Sequence, residues 1–521
     1  MQRHRFLFIA LGLLTVWRLM LLPTTELSPI EALAAFQASH GLQDGWWETG
    51  PAVAWTARFG MAIAGHQEWG VRLFAPLLTL MASLAMWRLA KGFFDSAVAA
   101  WAVVILNVTP AFHLASVHLT TGTLMLPLVA WLALFIRRGL LQAHPLHWAW
   151  WAGGTCLAAL QHVSSAGVIA LAAAAASLAI PLRRRHHLKG FGFFILLLMW
   201  LPSGFSWMIW QNQHEWPVAS LGNWHPVLSI VPNLFRWVIL TSPLLLTFIV
   251  LSVRLSLPLA TRITPLGFPL GMAIPFLVLD FFWGASNPWP DTGFSVWLLF
   301  LTLLVAHRAT AHGGIESITR ISLRTMMIAF AALQGILITH TDLPRSLGLP
   351  WEFDTRTRAQ PDYPHYFSRD PSGSAHGWVQ SAGVVAAVLR DTVQGQPIGD
   401  PQRWFVIANN SQTAAELDFY LPPSAPLFRP SPEHPRVHVL QDGSWDEPYA
   451  WWPRYDTTRE GVNAYAGLHA IYVSDNTELP VALTAQFETT QPISVARVMH
   501  GGREVRTLKI FACHRYQPPE L

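Results

Sequence analysis

The chain has 521 residues, 52% of them hydrophobic and only 12% charged, with 26 tryptophans and a formal net charge of +4. Soluble globular domains carry about 25% charged residues, so this composition excludes an ordinary soluble protein and indicates a membrane one. The arginines cluster beside apolar runs, which reads as orientation signalling and excludes a nucleic-acid partner.

Polarity is distributed unevenly, and that sets the layout. Residues 1–340 are apolar with short basic breaks, whereas 341–521 are polar and rich in Pro, Asp and Arg. A spanning helix needs about 20 apolar residues. The sequence predicts eleven, near 6–24, 70–90, 96–113, 120–137, 147–163, 164–182, 190–210, 233–253, 263–283, 291–306 and 321–340. The basic MQRHR start precedes an apolar run with no small-x-small cleavage site, so the first helix is read as retained. The run 147–182 is too long for one span and is divided at its polar middle, Gln161–Ser165. Residues 51–65, short and containing Arg58, read as an interfacial helix.

Between the first two spans lies the first polar interval, an external loop at 25–69 holding Glu26, Glu31, Asp44, Glu48 and Glu68. Acids are costly near lipid unless they face water, a partner or a substrate. With Arg3 and Arg5 cytoplasmic, alternate connections are basic: Arg88 and Lys91, Arg137 and Arg138, Arg183 to Arg185, Arg254 and Arg262, Arg308 and Arg320. The opposite connections hold Glu31, Glu48, His113, His118, His162, His214, Asn287 and Asp291. This follows the positive-inside rule and predicts an inner (plasma) membrane protein with an extracytoplasmic C-terminal region. Pro344, Pro350, Pro361 and Pro364 mark a linker at 341–376. A domain at 377–521 follows, with helices at 377–393 and 411–421, the second opened by a Thr413–Glu416 capping box. Strands are predicted at 403–410, 469–475, 493–499 and 503–516, the last two joined at Gly501-Gly502. The fold class is therefore mostly α: a polytopic helical membrane domain over 1–340 plus a soluble α/β domain. The two cysteines, Cys156 and Cys513, lie too far apart in character for a disulfide or a cysteine metal site.

Several stretches, taken in order, resemble one family. PAVAWTARFGMAIAGHQEWGVRLF is similar to its "PP-L-apolar-W … G-x-x-E-x-x-x-R-L" stretch through Pro51, Trp55, Glu68, Arg72 and Leu73. LPSGFSWMIWQNQHEWP resembles its "P-apolar-I-W-N-x-Q-H-x-W" segment through Pro202, Trp210, Gln213, His214 and Trp216. Ser242-Pro243, ASNPWPDTGF, ANNSQTAAELDFYLP and WWPRYD also match. The family is that of the GT-C-type glycosyltransferases that use lipid-linked sugars, within it the family-39-like group of protein O-mannosyltransferases and aminoarabinose transferases. The resemblance implies transfer of a sugar from a polyprenyl phosphate, on the outer membrane face, to a hydroxyl or phosphate of an acceptor. It also implies an Asp-Glu pair opening the first external loop, where this chain has Ile30-Glu31. The usual Asp-His-Pro-Pro reads Glu48-Thr49-Gly50-Pro51, a second acidic Pro-Asp-Ala reads Thr121-Gly122-Thr123, and a lysine expected within Gln161–Ala166 is absent, with His162 nearby.

Transfer to a hydroxyl needs a general base, and a carboxylate in a partly desolvated cleft can be tuned for it. Glu31 and Glu48 are the catalytic candidates. Glu31 also completes a Ser28-x-x-Glu31 capping box with Pro29 at the first helical position, a purely structural role. Glu48 lies beside Trp46 and Trp47, which suit sugar stacking but are also ordinary interfacial residues. Arg72 either pairs with Glu68 at i,i+4 or meets the donor phosphate. His118 and His214, with His113 and His162, could bind a phosphate or a divalent cation, against a plain interfacial role. Asn287 and Trp289 are further substrate-side candidates. No cofactor is certain. The partners expected are a polyprenyl-phosphate sugar, membrane lipid and an acceptor that the sequence does not identify. A catalytically degenerate relative that binds lipid-linked glycan is the alternative; a transporter ranks last, since polar mid-span residues are sparse.

Overall fold

A computed structural model of the chain describes residues 2–40, 50–141, 147–164, 169–170, 172–173, 192–213, 237–260 except 239, 264–283, 292–310, 316–339, 376–394, 403–431, 434–440, 454–456, 463–474, 479–500 and 503–518. It divides into two compact units, residues 1–22 with 44–350 and residues 23–43 with 351–521.

The first unit is helical. Helix α1 (Gln2–Leu21) is followed, within this unit, by α3 (Pro51–Ala64), α4 (Glu68–Arg72), α5 (Ala75–Phe93), α6 (Ser96–Val108), α7 (Pro110–Val117), α8 (Thr121–Leu141) and α9 (Trp148–Val163). Further along come α10 (Gly192–Gln213), α11 (Pro243–Ala260), α12 (Thr264–Trp283), α13 (Thr292–Thr310) and α14 (Glu316–Thr339). Among the described residues four helices are long and apolar enough to cross a membrane, or five if the bent pair α6–α7 is one span. The span expected at 96–113 is broken, with a 68° bend between its halves. Pro110 causes this: it offers no N–H and disfavours a helical Thr109, which adopts an extended conformation. The division of 147–182 falls where polarity predicts it, because α9 ends at Val163 and Ser164 is extended. The interfacial helix at 51–65 is α3, with Pro51 at its first position and Gly50 before it.

An arginine anchors α1. Arg18 is buried and donates from Nη1 to Asn107 Oδ1 at 2.9 Å and from Nη2 to the Asn107 carbonyl at 3.3 Å. Asn107 Nδ2 in turn donates to Ser83 Oγ at 2.9 Å. A charge at such depth needs partners; these bonds serve both terminal nitrogens of Arg18 and join α1, α6 and α5.

The second unit carries the sheet. Strands β1 (Trp404–Ala408), β2 (Val437–Val439), β3 (His469–Ser474), β4 (Phe487–His500) and β5 (Arg503–Tyr516) are ordered β2-β1-β3-β5-β4. The first three run parallel, with Val406 opposite both Val437 and Ile471. β5 is antiparallel to β3 and to β4, and His500 pairs with Arg503 across the expected Gly-Gly turn. Fully buried β1 reads as an unbroken apolar run, as a strand covered on both faces should. Helix α15 (Trp378–Gln394) and helix α16 (Ser411–Tyr420) complete this unit together with α2 (Pro29–Ser39). The cap of α16 differs from the expectation: Asn410, not Thr413, is the N-cap, its side chain accepting from the Thr413 N–H at 2.7 Å. Both residue types cap well, and the earlier one takes the role. Inside the core, the Tyr465 hydroxyl lies 3.0 Å from His438 Nε2, and burial pushes the His438 imidazole down to about 3.

Candidate functional site

Of the expected site residues, Glu31, Arg72 and His118 lie within the described residues. Glu48, Trp47, His214, Asn287 and Trp289 lie outside them.

Glu31 sits in the first turn of α2 and is fully buried. Its Oε2 accepts from the Ser28 backbone N–H and from the Ser28 hydroxyl, both at 2.9 Å, so the capping box is formed. A carboxylate there satisfies an orphan donor and complements the positive end of the helix. The remaining face of α2, with Ala32, Ala35 and Phe36 buried, packs on α16, and the Leu27 N–H donates to the Tyr420 hydroxyl at 2.8 Å. Glu26 accepts from the Trp378 N–H. The front part of the first polar interval thus belongs to the sheet-bearing unit, because its apolar helix face finds its partner there.

Arg72 closes α4 in the helical unit and is also fully buried. It donates from Nη1 to the Leu22 carbonyl at 2.9 Å, and Trp69 Nε1 donates to the Leu19 carbonyl at 3.1 Å. Together they serve carbonyls at the end of α1 that the helix itself leaves unsatisfied, with a cation at the negative end of the dipole. His118 ends α7 and is buried; its carbonyl accepts from the Thr123 hydroxyl at 2.8 Å. That hydroxyl also lies 2.9 Å from the Ala115 carbonyl, and Thr120 and Thr123 bond each other through side chain and backbone. Where the resemblance implies an acidic Pro-Asp-Ala, this chain has a turn closed by paired threonines. His113, on the same short helix, stacks on Trp17 with ring centroids 5.6 Å apart. Among the described residues no three His, Cys, Asp or Glu side chains gather as a metal site would require.

Gly50 is seated on the end of α9. The Gly50 N–H donates to the Val163 carbonyl at 2.8 Å, and a Cβ on Gly50 would stand 2.2 Å from the His162 carbonyl oxygen. Only glycine allows this approach. An apolar cavity of about 610 Å³ lies in the same unit between α3, α5, α8 and α9, lined by residues such as Phe59, Phe74, Met81, Pro127, Trp131 and Cys156. Its lining suits a hydrocarbon chain.

Sequence reasoning did not single out Arg18, although a charge inside an apolar helix was a legible signal. Nor did it find Asp280, buried on α12, whose Oδ2 accepts from Trp237 Nε1 at 2.6 Å and from Trp297 Nε1 at 2.9 Å.

The chain is similar to known proteins in part of its sequence and in its fold. Residues 48–210 match the family described as dolichyl-phosphate-mannose-protein mannosyltransferase. The chain is 30% identical over 139 residues to the lipid A galacturonosyltransferase RgtD of Rhizobium johnstonii, a match covering 26% of this chain and 29% of that relative. It superposes on crystal structures of ArnT from Cupriavidus metallidurans, both at a TM-score of 0.56 and 15% identity. The one bound to undecaprenyl phosphate covers 97% of both chains, and the apo one covers 98% of both. By these comparisons the chain has an ArnT-like fold, and its residues 48–210 are similar to the dolichyl-phosphate-mannose-protein mannosyltransferase family.

Proposed function

We propose that the chain moves a sugar from a polyprenyl-phosphate donor to an acceptor outside the cytoplasm, its N-terminus cytoplasmic and its sheet-bearing unit extracytoplasmic. The observation that carries this reading is the likeness, over 97% of both chains, to a protein crystallised with undecaprenyl phosphate. The apolar cavity between α3, α5, α8 and α9 supports it, since a lipid-linked donor brings a long hydrocarbon chain. In the reaction the acceptor hydroxyl attacks the anomeric carbon and passes its proton to a carboxylate. The bond from that carbon to the phosphate oxygen breaks, and polyprenyl phosphate leaves with the electron pair. Glu48 is the general base of this reading. Glu31 holds α2 through its cap, Arg72 and His118 hold helix ends, and Trp47, His214, Asn287 and Trp289 are the candidates for substrate contact.

A second reading is a glycan-binding relative that has lost catalysis. It draws on Ile30 standing where the family has its aspartate, and on the engagement of Glu31 in a capping box. Membranes carrying wild type, Glu31→Gln, Glu48→Gln or the double variant, supplied with a polyprenyl-phosphate sugar, separate the two. Loss of transfer in Glu48→Gln at unchanged protein level supports the enzyme. Undiminished transfer by the double variant removes both acids from the mechanism.

A further inference from the structure

Polar side chains gather where α3, α9 and α10 meet, inside the helical unit. Gln161 is fully buried near the end of α9, and its Oε1 accepts from Trp200 Nε1 on α10 at 3.2 Å. Next in sequence, His162 sets Nε2 3.2 Å from the hydroxyl of Ser203, which lies one turn beyond Trp200. The His162 ring is 5.7 Å from that of Trp55 on α3, at 35° between planes. Among the described residues, Gln161 Nε2 and Trp55 Nε1 are sealed from solvent and bonded to nothing.

Buried donors are almost always satisfied in folded proteins, and leaving one bare costs about 1–3 kcal/mol. Two in one cluster, on the fully buried Gln161 and the half-buried Trp55, amount to a site for oxygen acceptors. The five side chains carry no fixed positive charge, so they do not suit a phosphate dianion, which recruits Arg or Lys. They do suit a sugar. Its hydroxyl oxygens accept N–H bonds and give their own protons to imidazole nitrogen or serine oxygen, while two indoles offer flat apolar walls. The Gly50 N–H is bonded to the same turn of α9, at the Val163 carbonyl.

We propose that Trp55, Gln161, His162, Trp200 and Ser203 bind the sugar of the lipid-linked donor, with Gln161 Nε2 and Trp55 Nε1 donating to its hydroxyl oxygens. This rests on the reading that the donor is a polyprenyl-phosphate sugar.

Two variants test it in the detergent-solubilised full chain. Trp55→Phe keeps the ring and deletes one bare N–H. The pair Gln161→Leu with Trp200→Phe removes the other and exchanges both hydrogen-bonding partners for apolar groups, a change that is nearly neutral for folding. Thermal midpoints are measured alone, with undecaprenyl phosphate, and with undecaprenyl phosphate carrying mannose or galacturonic acid. The ligand-free midpoints are expected to stay level or rise, because unsatisfied donors have gone. The shift from undecaprenyl phosphate is expected to stay at the wild-type value, while affinity for the glycosylated lipid falls about tenfold per lost hydrogen bond. Variants that bind the glycosylated lipid like wild type overturn the proposal, and so do variants that weaken both lipids equally. Wild-type protein that binds none of these lipids overturns the donor assignment itself, a failure distinct from that of the pocket.

Discussion

The capping box at Glu31 allows its structural role to be parted from a catalytic one. Glu31→Gln keeps an oxygen that can accept from the Ser28 N–H and hydroxyl, since glutamine completes the same box. Glu31→Ala removes both 2.9 Å bonds and leaves a buried backbone donor bare. The stranded N–H costs about 1–3 kcal/mol. By the usual conversion that is about 5-fold to 150-fold in the local opening equilibrium. Hydrogen exchange over 29–39 in the full-length protein reads this directly, because α2 is held by this box and by its packing on α16. Protection should fall by that factor in Glu31→Ala and stay within a few-fold of wild type in Glu31→Gln. Equal protection in both variants would refute the cap. With protection preserved, any loss of sugar transfer in Glu31→Gln then reports the charge alone.

Three further outcomes follow from the geometry. Gly50→Ala forces a Cβ to 2.2 Å from the His162 carbonyl oxygen and should cost about 1–3 kcal/mol, as overpacking does; a wild-type thermal midpoint would contradict the close approach. Asn107→Leu takes the side-chain acceptor from Arg18 Nη1 and leaves Nη2 its backbone carbonyl, and should destabilise by about 1–3 kcal/mol, whereas Arg18→Met with Asn107→Leu should recover part of the loss. A double-mutant cycle with no coupling would sink the anchor. In the sheet-bearing unit, His438 stays neutral when folded because burial lowers its pKa to about 3, while the unfolded chain takes up a proton near pH 6.5. The stability it contributes is complete above about pH 6.5 and drains away as pH falls toward 3, at about 1.4 kcal/mol per pH unit. Exchange protection of β1 in His438→Gln should lack that part of the slope.

How far the sequence spoke depends on whether its signals are local. The division of 147–182, the Gly-Gly hairpin, and helices 377–393 and 411–421 were legible because composition and periodicity act within one segment. The 68° break at Thr109 was hidden inside an apolar run, although Pro110 was in plain sight. Strand β2, three residues long, is too short for any periodicity. The destination of α2 was not legible either: an apolar face announces that it will be buried but not against which partner. For the site, Gln161 stood out only as polarity in the middle of an apolar run. That its Nε2 lacks an acceptor is a fact of packing between helices far apart in sequence.

The assignment of residues 23–43 to the sheet-bearing unit also bears on how the protein is made. Helix α2 leaves the ribosome early, yet its packing partner α16 begins at Ser411. At about 5–20 residues per second, the roughly 370 intervening residues take some 20–75 s to synthesise. Throughout that interval Ala32, Ala35 and Phe36 lack their native cover, and the helical spans are threaded first. The second unit is therefore assembled from the two ends of the translation schedule. Expressed alone from residue 351, it would lack a helix from its core and present α16 as a raw apolar face.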